Sequence, residues 1–186
     1  IVYDEATGLF YAWSSMTGEM YLFRRKADSA EVYLENIMRV PELYGKYVRS
    51  FTMEGGTIYF PCVHSSSIVA VDKNTFRIKD IYPVPENIAG MVQLTKIQNY
   101  YYLTVSTDIH FNQSAANIVR ARTLEDFGTG NYESVNKKFG GDGAPYYISY
   151  ADGSYFTVVI RSEGRACGYK FDVVDDEICN KEELTY

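Results

Sequence analysis

The chain has 186 residues, enough for one domain of ordinary size or a segment of a repeat domain, and its 46% hydrophobic and 23% charged residues exclude disordered and fibrous classes. A net charge of −6 and a pI near 5.0 argue against a nucleic-acid backbone as partner, because that affinity comes from clustered Lys and Arg. The aromatic share of 16%, carried by 18 Tyr and 10 Phe against one Trp, points to an all-β fold, since such rings fit the half-buried face of a pleated sheet.

In chain order, the first extended run is IVYDE, followed by a turn at Ala6-Thr7-Gly8, the run LFYAWS, a turn at Met16-Thr17-Gly18, and the runs EMYLFRR and EVYLENIM. SAEVYLENIMRV also places apolar residues at helical spacing, and strand is the preferred reading. Ile1 falls inside the first strand, which suits a mature product or, preferably, a segment of something longer. No apolar run approaches the roughly 20 residues that cross a bilayer.

The second unit is the clearest. YVRSFTM (Tyr47 to Met53) turns at Glu54-Gly55-Gly56 into TIYFPCV, a loop His64-Ser65-Ser66-Ser67 follows, and IVAVD turns at Lys73-Asn74-Thr75 into FRIKDIY. Glycine beside an acid supplies the positive φ that hairpin turns demand. The third unit reads MVQLTKI, Gln98-Asn99, YYYLTVS, a longer loop from Thr107 to Ala116, NIVRAR, a turn around Leu124 to Asp126, and a weak last strand near Tyr132. The fourth reads PYYISY, Ala151-Asp152-Gly153, SYFTVVI, a loop from Arg161 to Arg165, ACGYKFDVV, Asp175-Asp176-Glu177 and ICN. Its Asp-Gly pair is the strongest hairpin signal in the chain.

Aligned at the first turn, the units restart at Gly8, Gly56, Asn99 and Gly153, at spacings of 48, 43 and 54 residues. Four strands per unit at a period of about 40–50 residues predict an all-β β-propeller. The expectation is four four-stranded antiparallel blades, approximately 1-40, 41-84, 85-138 and 139-186, forming a small closed ring or an arc of a larger one. IVAVDKNTFRI resembles the outer hairpin of bacterial propellers of the YVTN, NHL and quinoprotein-like kind, in which V-x-D-x-x-T turns the third strand into the fourth. The resemblance implies a fold and no activity.

Cys62, Cys167 and Cys179 give an odd count without C-x-x-C spacing, which disfavours a metal site. Cys62 reads as a core residue. A hairpin turning near Asp175-Asp176 sets Cys167 opposite a residue beyond Cys179, which disfavours a disulfide between them. Asn112-Gln113-Ser114 is a glycosylation sequon only in a eukaryotic secretory pathway.

In a propeller, the loops between second and third strands and those between blades share one face, the usual ligand site. The first group holds His64, Asp108 with His110 and Asn112, and Arg161; the second holds Tyr44, Glu86 with Asn87, and Asp142. Both histidines of the chain fall in matching loops of adjacent blades. They could ligate a metal with Asp108 or act as a base and its partner, or they could be ordinary polar loop residues, the preferred reading. A glycosidase-like reading would use Asp108 or Asp142 as acid or base, but such chemistry needs two carboxylates about 5–10 Å apart, and Asp4 and Glu54 belong to the opposite, turn end. Tyr3, Tyr47, Tyr146, Tyr147 and Tyr150, with Arg49 and Lys96, lie on the inner strands, where rings and hydroxyls suit sugars and peptides or simply pack between blades.

No G-x-G-x-x-G, P-loop, G-x-S-x-G or H-E-x-x-H occurs, and no cofactor is expected. The sequence therefore predicts a non-catalytic, extracytoplasmic or secreted recognition module that binds a glycan or protein through His64, Asp108, His110, Asn112, Asp142, Arg161, Tyr44 and Arg49. The alternatives are a glycan-processing enzyme and a scaffold piece of a larger protein.

Overall fold

A computed structural model describes residues 1–139, 143–161 and 163–184. Four antiparallel sheets of four strands each form a four-bladed β-propeller. Blade 1 comprises β1 (Val2–Asp4), β2 (Leu9–Ser14), β3 (Glu19–Arg25) and β4 (Val32–Arg39), and blade 2 comprises β5 (Thr52–Glu54), β6 (Thr57–Cys62), β7 (Ser67–Asp72) and β8 (Ile78–Pro83). Blade 3 comprises β9 (Gly90–Ile97), β10 (Tyr100–Thr107), β11 (Asn117–Ala121) and β12 (Glu133–Ser134), and blade 4 comprises β13 (Ala144–Ala151), β14 (Ser154–Ile160), β15 (Ala166–Val174) and β16 (Glu177–Leu184). Each is a simple meander in sequence order. No helix among the described residues is long and apolar enough to cross a membrane.

The turn chemistry accounts for the meander. Asp72 Oδ1 accepts from the backbone N–H groups of Asn74 (3.0 Å) and Thr75 (2.8 Å) and from the Thr75 hydroxyl (3.0 Å), so the D-x-x-T segment is a self-hydrogen-bonded turn. Asp4 repeats the device with the Thr7 hydroxyl at 2.6 Å. The ambiguous segment of blade 1 is strand β4, paired along its length with β3. In blade 3 the expected turn near Leu124 is a short helix, α1 (Leu124–Thr129), started by a reciprocal capping box between Thr123 and Asp126 and ended by left-handed Gly130. The innermost strand of blade 2 is shorter than the pattern of Tyr47 to Met53 suggests. Tyr47 has φ 53°, Val48 makes only an isolated bridge to Cys62, and the ladder begins at Thr52.

Three hydrophobic clusters fill the seams between successive blades. The first joins Tyr11, Met20 and Leu22 of blade 1 to Ile58, Phe60, Cys62 and Val71 of blade 2. The second joins Ile68 to Leu94, Leu103, Val119 and Phe127, and the third joins Tyr102 and Ile118 to Val159, Tyr169 and Phe171. Burial pushes the Cys62 thiol up to about 12, so it is an unreactive core group. All three cysteines are free. The last hairpin sets Gly168 opposite Leu184 and Asp172 opposite Cys179, which keeps Cys167 and Cys179 apart.

Polar ties secure each seam at the turn end. Lys73 Nζ donates to Asp4 at 2.9 Å, Tyr101 Oη donates to Glu54 at 2.9 Å beside Lys96, and Asn99 Nδ2 donates to Asp176 at 3.2 Å. Arg120, almost fully buried, donates to the Tyr102 hydroxyl at 3.2 Å, pairs with Glu133 and reaches Glu177 across the seam between blades 3 and 4. Thr7 first and Lys73 next hold the Asp4 carboxyl below its ordinary value; Asn180 and then Ser154 do so for Asp172. A lowered native value means that the folded state binds fewer protons than the unfolded one, so this contribution is complete above the unfolded value of about 3.9 and is lost as pH falls through the native values. Thermal melts are expected to be flat on this account down to about pH 4 and to fall below it, with Asp4→Asn showing a shallower fall. An Asp4→Asn profile superimposable on wild type would refute the assignment.

Candidate functional site

On the face opposite those ties, the inter-blade segment 45–49 and the loop after β10 converge between blades 2 and 3. The Tyr47 ring lies 5.4 Å from the His64 ring and 6.4 Å from the Phe111 ring, and the Arg49 guanidinium sits 5.0 Å over Tyr47. Tyr47 is 39% exposed and Phe111 54%, so both present ring surface to solvent.

The backbone holds them there at a cost. Tyr47 and Phe111 both have left-handed backbone, at φ 53° and 63°. That region is disfavoured for bulky residues by about 1–3 kcal/mol and persists only where the surroundings impose it. For Phe111 the surroundings are Asp108 and Asn112. Asp108 Oδ1 accepts from the backbone N–H groups of His110 and Asn112, each at 2.8 Å, and the Phe111 N–H donates to the Asp108 carbonyl at 3.1 Å. Asn112 then caps the next turn by accepting from the Ser114 N–H at 3.1 Å. For Tyr47 the neighbours do it, with the Val63 N–H donating to its carbonyl at 3.3 Å and the His64 N–H donating to that of Lys46 at 3.1 Å.

His64 Nδ1 lies 3.0 Å from the Gly45 carbonyl. A carbonyl only accepts, so Nδ1 carries a proton and donates it to this bond. Arg49 Nη1 donates to the Ser106 hydroxyl at 2.5 Å, which ties the cluster to β10. Arg49 also lines a cavity of about 370 Å³ near the axis, together with Trp13, Val48, Phe51, Gln93 and Tyr147, so all four blades contribute to it. The Gln93 side chain is fixed by two bonds to Ile148, at 2.6 and 3.1 Å.

The structure thus brings together His64, Arg49 and the loop of Asp108, His110 and Asn112, and it adds Tyr47 and Phe111. The neighbours of the two histidines meet, while no ring contact or hydrogen bond joins His64 to His110 themselves, and among the described residues no three His, Cys, Asp or Glu side chains gather as a metal site. Tyr44 stands elsewhere, beside Thr17, Arg39 and Pro41 over blade 1. Arg161 belongs to the β14–β15 hairpin, bonded to Tyr169 and to Cys167 Sγ at 3.4 Å. Asp142 lies outside the described residues. Of the inner-strand tyrosines, Tyr3 packs on Phe10 and Tyr150 on Tyr155, and Lys96 sits at the turn end with Glu54. Phe111 carried no signal in the sequence, because left-handed backbone is read from Gly and Asn.

No family model and no curated protein matches this sequence. Solved structures do match. A Bacteroides uniformis protein provisionally named a 6-phosphogluconolactonase aligns over 98% of this chain and 53% of its own, at TM-score 0.61 and 11% identity. The likeness is one of fold. Streptogramin B lyase aligns over 98% and 66% at TM-score 0.51 and 12% identity, and Citrobacter koseri AztD over 100% and 48% at TM-score 0.52 and 14% identity. The chain resembles bacterial β-propellers and spans about half to two thirds of the length of these three.

Proposed function

We propose that the chain is a non-catalytic recognition module whose top face binds a glycan or a protein segment through Tyr47, Phe111, His64 and Arg49. The observation that carries this reading is the pair of exposed aromatic rings held in left-handed backbone. Left-handed backbone also occurs at Phe76, whose ring is buried in the core, whereas at Tyr47 and Phe111 it carries rings that face solvent side by side. Aromatic faces bind the C–H faces of sugars and the flat surfaces of peptides, and the guanidinium and imidazole beside them supply directed hydrogen bonds. The carboxylate of Asp108 is occupied in shaping its loop, which suits a binding role over acid-base work.

The test is to replace each strained ring by glycine. Tyr47→Gly and Phe111→Gly are expected to leave stability unchanged or raised by up to about 1 kcal/mol, since glycine is at ease at positive φ. Each is expected to weaken binding on a glycan array or peptide library at least about tenfold. Undiminished binding in both variants, or hydrolysis of aryl glycosides abolished by Asp108→Asn or Asp142→Asn, would overturn the reading.

A further inference from the structure

Charge pairing singles out Arg49. Among the described residues four arginines are buried or half-buried, and three of them face a carboxylate: Arg24 pairs with Glu35, Arg120 with Glu133, and Arg161 with Glu183 at 3.7 Å. Arg49, also half-buried, forms no ion pair with any described residue. Its partners are the Ser106 hydroxyl, to which Nη1 donates at 2.5 Å, and the face of the Tyr47 ring. Most of its N–H donors are therefore unused, and no counter-charge stands beside it. A cation drawn partly out of water bears a desolvation cost that an incoming anion offsets.

The surroundings say which anion fits. Arg49 lines the cavity of about 370 Å³ near the axis, a size within the small-molecule range. Trp13, Phe51 and Tyr147 give it aromatic walls, and no acidic side chain of the described residues lines it. Its other polar groups divide into used and unused. The Ser50 hydroxyl donates to the Val92 carbonyl at 2.6 Å and both ends of the Gln93 amide are bonded to Ile148, whereas the hydroxyls of Ser15 and Tyr147 have no hydrogen-bond partner among the described residues. One guanidinium and two hydroxyls are thus left for a ligand between aromatic rings. A single guanidinium balances a single carboxylate in a two-pronged contact, while a phosphate monoester brings up to about two charges. A pyranose ring brings a C–H face to the aromatic walls and hydroxyls around its edge, and an acidic peptide side chain brings neither.

We infer that the cavity is the subsite for a sugar acid, its carboxylate received by Arg49 and its hydroxyls by Ser15 and Tyr147. The inference rests on the reading of the top face as a glycan-binding surface and names the class of glycan. Arg49 joins the two regions, because its guanidinium lines the cavity and also covers the ring of Tyr47. A sugar acid held there leaves Tyr47 and Phe111 for the neighbouring residues of the same oligosaccharide, where stacking is indifferent to charge. Selectivity for the acid therefore belongs to Arg49, and general affinity to the two rings.

The test titrates the chain with galacturonate, glucuronate and sialate oligosaccharides, each beside its methyl ester, which keeps the sugar and removes the charge. At least one acid is expected to bind at least about tenfold tighter than its ester. Arg49→Gln should bring acid and ester to equal affinity with unchanged circular dichroism, and Arg49→Lys, which keeps the charge and loses the planar fork, should restore only part of the difference. Tyr147→Ala, at a position 48% exposed and so tolerant of change, should weaken the acid at least about tenfold and gives a second variant should Arg49→Gln fail to fold. Tyr47→Gly should weaken acid and ester alike. Glycan binding that depends on Tyr47 and Phe111 without preference for any acid, a preference that survives Arg49→Gln, or binding of acidic peptides and no sugar acid would overturn the inference and leave the recognition reading standing. Binding of no glycan and no peptide would overturn both.

Discussion

Phe60→Ala is expected to destabilise the protein by about 3–5 kcal/mol, the range for emptying a fully buried phenylalanine site. Phe60 has no solvent exposure, lies 4.6 Å from the Trp13 ring and 5.9 Å from the Phe51 ring, and occupies the cluster shared by blades 1 and 2. Its removal leaves a cavity that neither sheet can collapse into, because each is fixed by its own ladder and by the tie from Lys73 to Asp4. The loss is a large part of the stability of an ordinary domain. In urea the midpoint should fall by roughly 1–2 M. Because the hydrophobic clusters of the described residues join successive blades, hydrogen exchange should rise first in blade 1, whose cluster is the one that loses Phe60, and less in blade 4. Ile81→Ala, at an exposed outer-strand site, is the matched control and should change little. Equal exchange in all four blades of Phe60→Ala would show that the seams are not separable units.

The repeat was legible because turns and alternation are local signals. Gly8, Gly56 and Gly153 mark hairpins through their immediate neighbours, and the apolar runs TIYFPC and SYFTVVI that follow two of them read as strands without knowing what covers either face. The strand reading of Val32–Arg39 succeeded for the same reason, since hairpin pairing with β3 outweighs weak helical spacing. The site was legible only in part. Loop class brought forward His64 and the segment around His110, but which neighbours meet across two blades depends on the register of elements about 50 residues apart, which no local pattern encodes. Phe111 was invisible for that reason, and Tyr47 was read as an inner-strand residue, while its left-handed backbone is imposed by loop hydrogen bonds. The Leu124 segment was read as a turn because six residues are too few to show a helical period, though its Thr-x-x-Asp capping box is a local start signal.

The same physics makes Gly90 the point at which fold and site meet. Gly90→Ala is expected to destabilise by about 3 kcal/mol, the upper part of the ordinary range for overpacking, and to lower the melting temperature by about 6–12 °C. A Cβ at Gly90 would stand 2.1 Å from the Thr107 carbonyl oxygen and 2.2 Å from its hydroxyl, and the backbone oxygen cannot rotate away as a flexible side chain would. Here β9 and β10 pair irregularly, with register shifts on either side of Val105 and Gly90 opposite Thr107. Relief requires β10 to move at its end, and that end carries the site. The Ser106 hydroxyl donates to the Gly90 carbonyl at 3.3 Å and accepts from Arg49, and Asp108 begins the loop that holds Phe111. Binding on the top face should therefore fall together with stability, which sets this variant apart from Phe60→Ala, whose loss of stability leaves the site geometry intact in the folded fraction. Gly56→Ala is the control, because nothing stands within 4 Å of its added Cβ and stability should be unchanged or slightly raised. A Gly90→Ala protein that melts like wild type would mean that β9 and β10 separate more easily than this packing allows, and the link from Gly90 through Ser106 to Arg49 would then have no mechanical basis.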